Sequence, residues 1–306
     1  MKIFLWIAII LILAIIGASY FMFHFIFYRP KRTTKVPKFY IDTPHYKASQ
    51  AGLAVMRTLP YEDAYITSRD GLKLHAYLFP AEKESKKFLI GIHGYKSYSR
   101  PEYAPFVEFY RSLGYNMLLP DDRAHAPSEG KYIGFGVLDR LDCIDWAKYV
   151  VSKYGDDVEI LLHGTSMGGA TVISASGEEE LPTQVKGVVA DCGFTCAWDA
   201  LNYEIKEMMH LPTWPMLNIV EKICKHRVGF DFHEHSAIEN VKHASVPILF
   251  VQGGKDTMVP AHMVHELYDA CSSRKRLLFV EEAGHAESIA FEPEKYHDAI
   301  REFFNI

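Results

Sequence analysis

The sequence predicts an α/β fold: a mostly parallel eight-stranded sheet with helices on both faces and a helical lid, preceded by one N-terminal transmembrane helix. Three observations carry that reading. Short apolar runs recur from about residue 60 onward, several of them separated by helix-compatible stretches; one long interval holds no such run; and residues 3–27 form an uncharged apolar segment.

From Ile3 to Phe27 no formally charged residue occurs, and Ile, Leu and Phe dominate. At about 1.5 Å per residue such a helix exceeds the roughly 30 Å hydrocarbon core of a bilayer, so it spans with some tilt. Gly17-Ala18-Ser19 offers the small residues of a signal-peptide cleavage site, which is the rival reading. The apolar run nevertheless continues through Tyr20-Phe21-Met22-Phe23 to Tyr28, which a cleavage region does not need. The expectation is an uncleaved anchor over residues 1–28. Arg29-Pro30-Lys31-Arg32-Thr33-Thr34-Lys35 then reads as a basic, proline-broken juxtamembrane linker, part of a lead-in segment over 29–59. Structure is expected to resume near Tyr61.

The strand-like runs are 64–67, 74–79, 88–92, 115–119, 159–162, 185–190, 246–251 and 276–280. Helical patterns fill 102–113, 138–153, 167–176, 261–271 and 293–304. Strands alternating with helices imply parallel pairing with both faces covered. Over 195–244 only helix-like stretches appear, and an insertion there in an α/β sheet covers the carboxyl ends of the strands, where ligands bind. It is a candidate lid on a domain of residues 60–306.

With 306 residues the chain can enclose one large catalytic domain with an extra segment, while two full domains would be cramped. Lys and Arg number 33 against 38 Asp and Glu, so no basic surface suits nucleic acid. Cys143, Cys192, Cys196, Cys224 and Cys271 are odd in number and contain no CxxC pair, which signals neither a disulfide framework nor a zinc ribbon. Free thiols in a reducing compartment follow.

Gly164-Thr165-Ser166-Met167-Gly168-Gly169 follows the apolar run Ile160-Leu161-Leu162, with only His163 between, and stands before a helical stretch. A nucleophile elbow needs that arrangement: its serine sits on a strained strand-to-helix turn whose neighbours must be small, and it faces oriented helix N–H groups. Upstream, Ile92-His93-Gly94-Tyr95 ends another strand in a His-Gly step; downstream, Gly253-Gly254-Lys255-Asp256 ends a strand in an acid and Glu281-Glu282-Ala283-Gly284-His285 ends the next in a histidine. The chain order Ser, Asp, His differs from the chymotrypsin and subtilisin orders.

On these motifs residues 60–306 resemble the α/β-hydrolase superfamily of serine hydrolases, nearest to its membrane-associated members and more loosely to its esterases and depalmitoylating thioesterases. The resemblance implies a triad of Ser166 as nucleophile, His285 as base and Asp256 as its orienting acid. It also implies an oxyanion hole made by the backbone amides of Tyr95 and Met167. Asp191 rivals Asp256, because it too closes a strand. The loop Asp121-Asp122-Arg123-Ala124-His125-Ala126-Pro127-Ser128-Glu129-Gly130 is similar to a glycine-bearing loop of the superfamily, with Ala124 and Ala126 in the glycine places. It therefore should not depend on glycine-only backbone conformations. Asp122 and Arg123 are expected to hold that loop through charge-assisted hydrogen bonds, with no catalytic duty for Arg123 or His125. His163 reads as a packed residue, and His233-Glu234-His235 as polar lid surface rather than metal ligands, since no third ligand stands at diagnostic spacing.

The implied reaction is acyl transfer to water through an acyl-enzyme, with no metal, nucleotide or flavin required. Carboxylic esters or thioesters are the expected substrates, and the density of Met208, Met209, Leu211, Trp214, Met216 and Leu217 in the lid suits either an acyl-chain pocket or lid helices packed on the domain. A peptidase, an acyltransferase or an inactive tethered scaffold remains open. Lys and Arg flank the span unequally, Lys2 before it and Arg29, Lys31, Arg32, Lys35 and Lys38 after it, which predicts a cytoplasmic domain.

Overall fold

The structure is a computed structural model that describes residues 2–31, 41–125 and 127–306. Ala126 and the linker residues Arg32, Lys35 and Lys38 lie outside the described residues. Its centre is an eight-stranded sheet: β1 (Glu62–Thr67), β2 (Lys73–Phe79), β3 (Lys87–Ile92), β4 (Tyr115–Asp121), β5 (Glu159–Thr165), β6 (Val185–Asp191), β7 (Ile248–Gly253) and β8 (Lys275–Val280). The spatial order is β1-β2-β4-β3-β5-β6-β7-β8. β1 and β2 run antiparallel at one edge, β2 also pairs antiparallel with β4, and every later pairing is parallel.

The central strands are apolar on both sides because both sides are covered. Phe88, Ile90, Ile160, Leu162, Val188, Ile248 and Phe250 join one core cluster, whereas Leu89, Leu161, Val189, Leu249 and Val251 join a second on the opposite face. Adjacent residues thus feed different cores, the period-two rule of a strand. The helices Asp139–Tyr154, Met167–Ser176 and Ala261–Ala270 close the first core; the stretch 99–112 and the helix Pro293–Phe304 close the second.

Two segments depart from the sequence expectation. Structure resumes before Tyr61, in a helix Pro44–Met56 whose N-cap Thr43 accepts from the Tyr46 N–H at 3.1 Å. It docks so closely that a Cβ on Gly52 would stand 1.9 Å from the Ala104 carbonyl oxygen, and a long-range contact of that kind leaves no periodic trace in the sequence. The single helix expected over 102–113 is instead Ser99–Tyr103, a 3₁₀ turn Ala104–Phe106 and Val107–Ser112. Pro105 lies in the turn, where its missing N–H and fixed φ break the α-helical ladder.

An apolar helix Lys2–Phe27 is long enough to cross a membrane, at about 39 Å for 1.5 Å per residue. Most of it is exposed, but one face of its last turns is not. Phe23, Ile26 and Phe27 are buried in the domain core, and Phe27 stacks on Phe232 at 5.5 Å and leans on Phe135 at 5.6 Å. The chain leaving the helix is pinned too, with Arg29 N–H donating to the Lys131 carbonyl at 2.9 Å and Ile133 N–H to the Phe27 carbonyl at 2.8 Å. Between β6 and β7 the lid interval is helical as expected: Ala197–Tyr203, a π-helical turn Glu204–Met208, Met216–Arg227 and Ala237–Asn240. All five cysteines are free and buried.

Candidate active site

Ser166 occupies the turn between β5 and the helix Met167–Ser176, at φ 57° and ψ −116°. A non-glycine residue there is strained, and it is held by Ser166 N–H donating to the Asp191 carbonyl at 2.8 Å. The flanking glycines are a packing requirement: a Cβ on Gly164 would stand 2.0 Å from the Gly168 carbonyl oxygen, and one on Gly168 would stand 2.0 Å from that of Ile92. The amide of Met167 belongs to the first turn of the helix, where N–H groups have no intrahelical acceptor.

His285 and Asp256 reach Ser166 from the turns after β8 and β7. These turns touch backbone to backbone, Gly254 N–H donating to the Val280 carbonyl at 2.8 Å and Lys255 N–H to that of Ala283 at 2.9 Å. His285 Nε2 lies 2.8 Å from Ser166 Oγ, and His285 Nδ1 lies 2.8 Å from Asp256 Oδ2. A carboxylate only accepts, so Nδ1 carries the proton and Nε2 accepts from the serine hydroxyl. Asp256 is itself fixed: Oδ1 accepts the N–H groups of Met258 and Val259, both at 2.9 Å, and Oδ2 accepts Gln252 Nε2 at 3.1 Å. Burial opposes charge on His285, but the hydrogen bond and charge of Asp256, with Asp191 and Glu102 behind, outweigh it and raise its pKa above the ordinary imidazole value.

Asp191 stands elsewhere. Its Oδ2 accepts the Tyr296 hydroxyl at 3.0 Å, and that hydroxyl also lies 3.1 Å from Nε2 of His163. Burial pushes the Asp191 carboxyl up to about 7. His163 is enclosed between Tyr110 and Tyr296, and burial drives it down to about 3, which makes it a neutral packed histidine.

Two histidines that the motif reading left without a task support the His93-Gly94-Tyr95 loop. His93 Nδ1 donates to the Gly94 carbonyl at 2.8 Å. In a trans peptide the C=O and the next N–H point opposite ways, so holding this carbonyl aims the Tyr95 amide away from it. Gly94 also borders the serine, a Cβ there standing 3.3 Å from Ser166 Cβ. His125 Nε2 accepts the Lys96 N–H at 3.1 Å, and its Nδ1 donates to the Arg123 carbonyl at 3.0 Å. Nothing in the local sequence separates such props from surface histidines; only the closed hydrogen-bond sets do.

The 121–130 loop partly departs from expectation. Arg123 is clamped by Asp142 at 2.6 Å and 2.8 Å and by Asp70 at 3.0 Å, as a structural guanidinium should be. Asp122 works through its backbone, its N–H donating to His93 Nε2 at 3.1 Å, while burial raises its carboxyl well above the carboxylate range. Ala124 does adopt the glycine-type conformation, at φ 61°, contrary to the substitution argument. Hydrogen bonds from Ala124 N–H to Glu129 at 2.8 Å and from His125 N–H to Asp122 at 2.9 Å impose it. His233 and His235 are exposed on the lid, His233 stacked on Trp198 at 5.2 Å.

Ser166 and His285 line a cavity of about 250 Å³ whose walls include Tyr95, Phe135, Phe194 and Val259, with Glu102 and Glu204 among its polar groups. The model of the prolyl oligopeptidase family matches residues 136–305, more than half the chain. The chain belongs to the prolyl oligopeptidase family. It is an α/β hydrolase of the esterase and peptidase kind within the α/β-hydrolase superfamily. The esterase Pf2001 of Pyrococcus furiosus is similar at 26% identity and a TM-score of 0.67, over 90% of this chain and 98% of that one. Uncharacterized protein YqkD of Bacillus subtilis is 28% identical over 65% of each chain, and uncharacterized membrane protein YNL320W of Saccharomyces cerevisiae is 24% identical over 81% of this chain and 80% of that one.

Proposed function

We propose that this member of the family is a membrane-anchored serine hydrolase that cleaves carboxylic esters or thioesters through an acyl-enzyme on Ser166. The observation that carries the reading is the hydrogen-bonded line Asp256–His285–Ser166 on the wall of the catalytic cavity. His285 takes the Ser166 proton as the serine oxygen attacks the carbonyl carbon, and the amides of Tyr95 and Met167 receive the oxyanion. The imidazolium, stabilised by Asp256, returns the proton to the leaving alcohol or thiol. Water then repeats the cycle on the acyl-serine. The family description favours a peptidase as the second reading. Labelling by a fluorophosphonate tests the nucleophile, and a panel of p-nitrophenyl esters, acyl thioesters and amides tests the bond. Turnover of amides above esters would overturn the ester reading.

The raised pKa of His285 sets the pH dependence. The base works only when neutral, so kcat/KM should rise with pH and level off, with a midpoint above the roughly 6.5 of an unperturbed histidine. A midpoint below that value would speak against the Asp256 pairing.

The Lys2–Phe27 helix is the anchor in this reading, and the charge excess after it, Arg29 and Lys31 together with Arg32, Lys35 and Lys38, favours a domain on the cytoplasmic side. External protease on intact cells should leave a C-terminal tag untouched. Loss of the tag without lysis places the domain outside.

A further inference from the structure

The N-terminal helix ends against the active-site loop. Its last carbonyls lack intrahelical donors, and the domain supplies them: Tyr95 Oη donates to the Ile26 carbonyl at 2.7 Å and Lys96 Nζ to that of Phe25 at 2.7 Å. A cation at a helix C-terminus is favourably placed against the helix dipole. The residue whose amide faces the proposed oxyanion therefore also grips the helix.

Beside this junction lies a second cavity of about 50 Å³. Met22, Phe25 and Ile26 of the helix form one side of it, and Ile205 and Met209 of the lid another. Tyr95, Phe135 and Glu204 line both this cavity and the catalytic one, so the two stand back to back across those side chains. Glu204 is the single acidic group on the small cavity's wall; burial raises its pKa, with His285 and Lys96 acting the other way.

Phe25 of the helix and Met209 of the lid, both on the cavity wall, are exposed, and so are Met208, Leu211 and Trp214 near Met209 in the chain, Trp214 by 78%. A hydrocarbon core of roughly 30 Å takes about 20 residues of helix, which extends from Ile3 to Met22 and leaves Phe25 and Ile26 at the membrane interface. The rim of the small cavity then sits at the depth where indole and other amphipathic side chains are favoured.

We propose that the small cavity is an acyl-chain subsite, and that the substrate is an ester of a long-chain acid dissolved in the bilayer. The hydrocarbon chain leaves the catalytic cavity past Tyr95 and Phe135 and lies between the N-terminal helix and the lid, against Met22 and Met209. Both closing side chains are methionines, unbranched and able to shift as a chain of varying length enters. The carbonyl carbon reaches Ser166 without the chain crossing water. This assignment rests on Ser166 being the nucleophile.

The test uses the full chain in phosphatidylcholine vesicles with p-nitrophenyl acetate and p-nitrophenyl laurate. Met22→Trp fills the subsite from the helix side. It should lower the laurate-to-acetate ratio of kcat/KM by about tenfold, the loss expected when two or so methylenes are no longer buried. Labelling of the variant by a small fluorophosphonate reports that fold and nucleophile are in place; if it does not label, Met209→Trp fills the same space from the lid. A ratio that falls less than threefold in a labelled variant overturns the subsite. A wild-type chain that takes up no fluorophosphonate overturns the nucleophile reading and the subsite with it.

Discussion

Ser166→Ala is expected to abolish fluorophosphonate labelling and to lower ester turnover by on the order of 10⁴-fold or more, because nucleophile and base act as one unit. The substitution removes only Oγ, and with it the 2.8 Å hydrogen bond to His285 Nε2. The backbone at φ 57° carries the same strain with Ala as with Ser, and the hydrogen bond from its N–H to the Asp191 carbonyl is untouched. The variant should therefore melt within a few degrees of the parent, the range of a change below about 1 kcal/mol. Mass spectrometry of the labelled peptide checks the site. Full labelling of the Ala variant would remove Ser166 from the mechanism.

Asp256→Asn is expected to cost about 10⁴-fold in turnover while leaving the fold intact, for a reason visible in the hydrogen bonds. Asn can keep its oxygen for the Met258 and Val259 N–H groups, which Asp256 Oδ1 now accepts at 2.9 Å. Its NH₂ then faces His285 Nδ1, which must give up its proton. The proton moves to Nε2, toward Ser166, and the base is lost. Asp191→Asn should keep most activity, since Asp191 meets the Tyr296 hydroxyl and not His285. Its effect should appear in stability. With a folded pKa of about 7 against an unfolded 3.8, Asp191 favours the folded state when protonated, and that contribution is lost as pH rises from the unfolded value through about 7. The Asn variant has no charge to bury, so thermal melts should show it more stable than the parent above pH 7. Loss of turnover in Asp191→Asn with Asp256→Asn spared would exchange the two roles.

The central strands were legible in the sequence because strands buried on both faces must be written in nearly continuous apolar residues, and the largely exposed edge strand β1 through its alternation. The elbow was legible for a related reason: Gly164 and Gly168 are demanded by backbone contacts within a few residues of Ser166, so the demand stays local. The Ser, Asp, His order followed from reading which strand ends carry polar groups. What the pattern left open was which acid serves His285, since Asp191 and Asp256 both close strands of the sheet. In the structure Asp256 lies 2.8 Å from His285, brought there by the two turns after β7 and β8 that bond to each other, while Asp191 meets the Tyr296 hydroxyl instead. The helix Pro44–Met56 and the supporting parts of His93 and His125 were illegible because each depends on partners distant in the chain, and the positive φ of Ala124 because it is imposed by backbone hydrogen bonds within the loop that no side chain encodes. Apolar composition alone marked residues 3–27 as a membrane-length helix. That its last turn would be capped by Tyr95 and Lys96 was decided only by the tertiary structure, because the groups being capped are backbone carbonyls, which every residue possesses and no sequence pattern distinguishes.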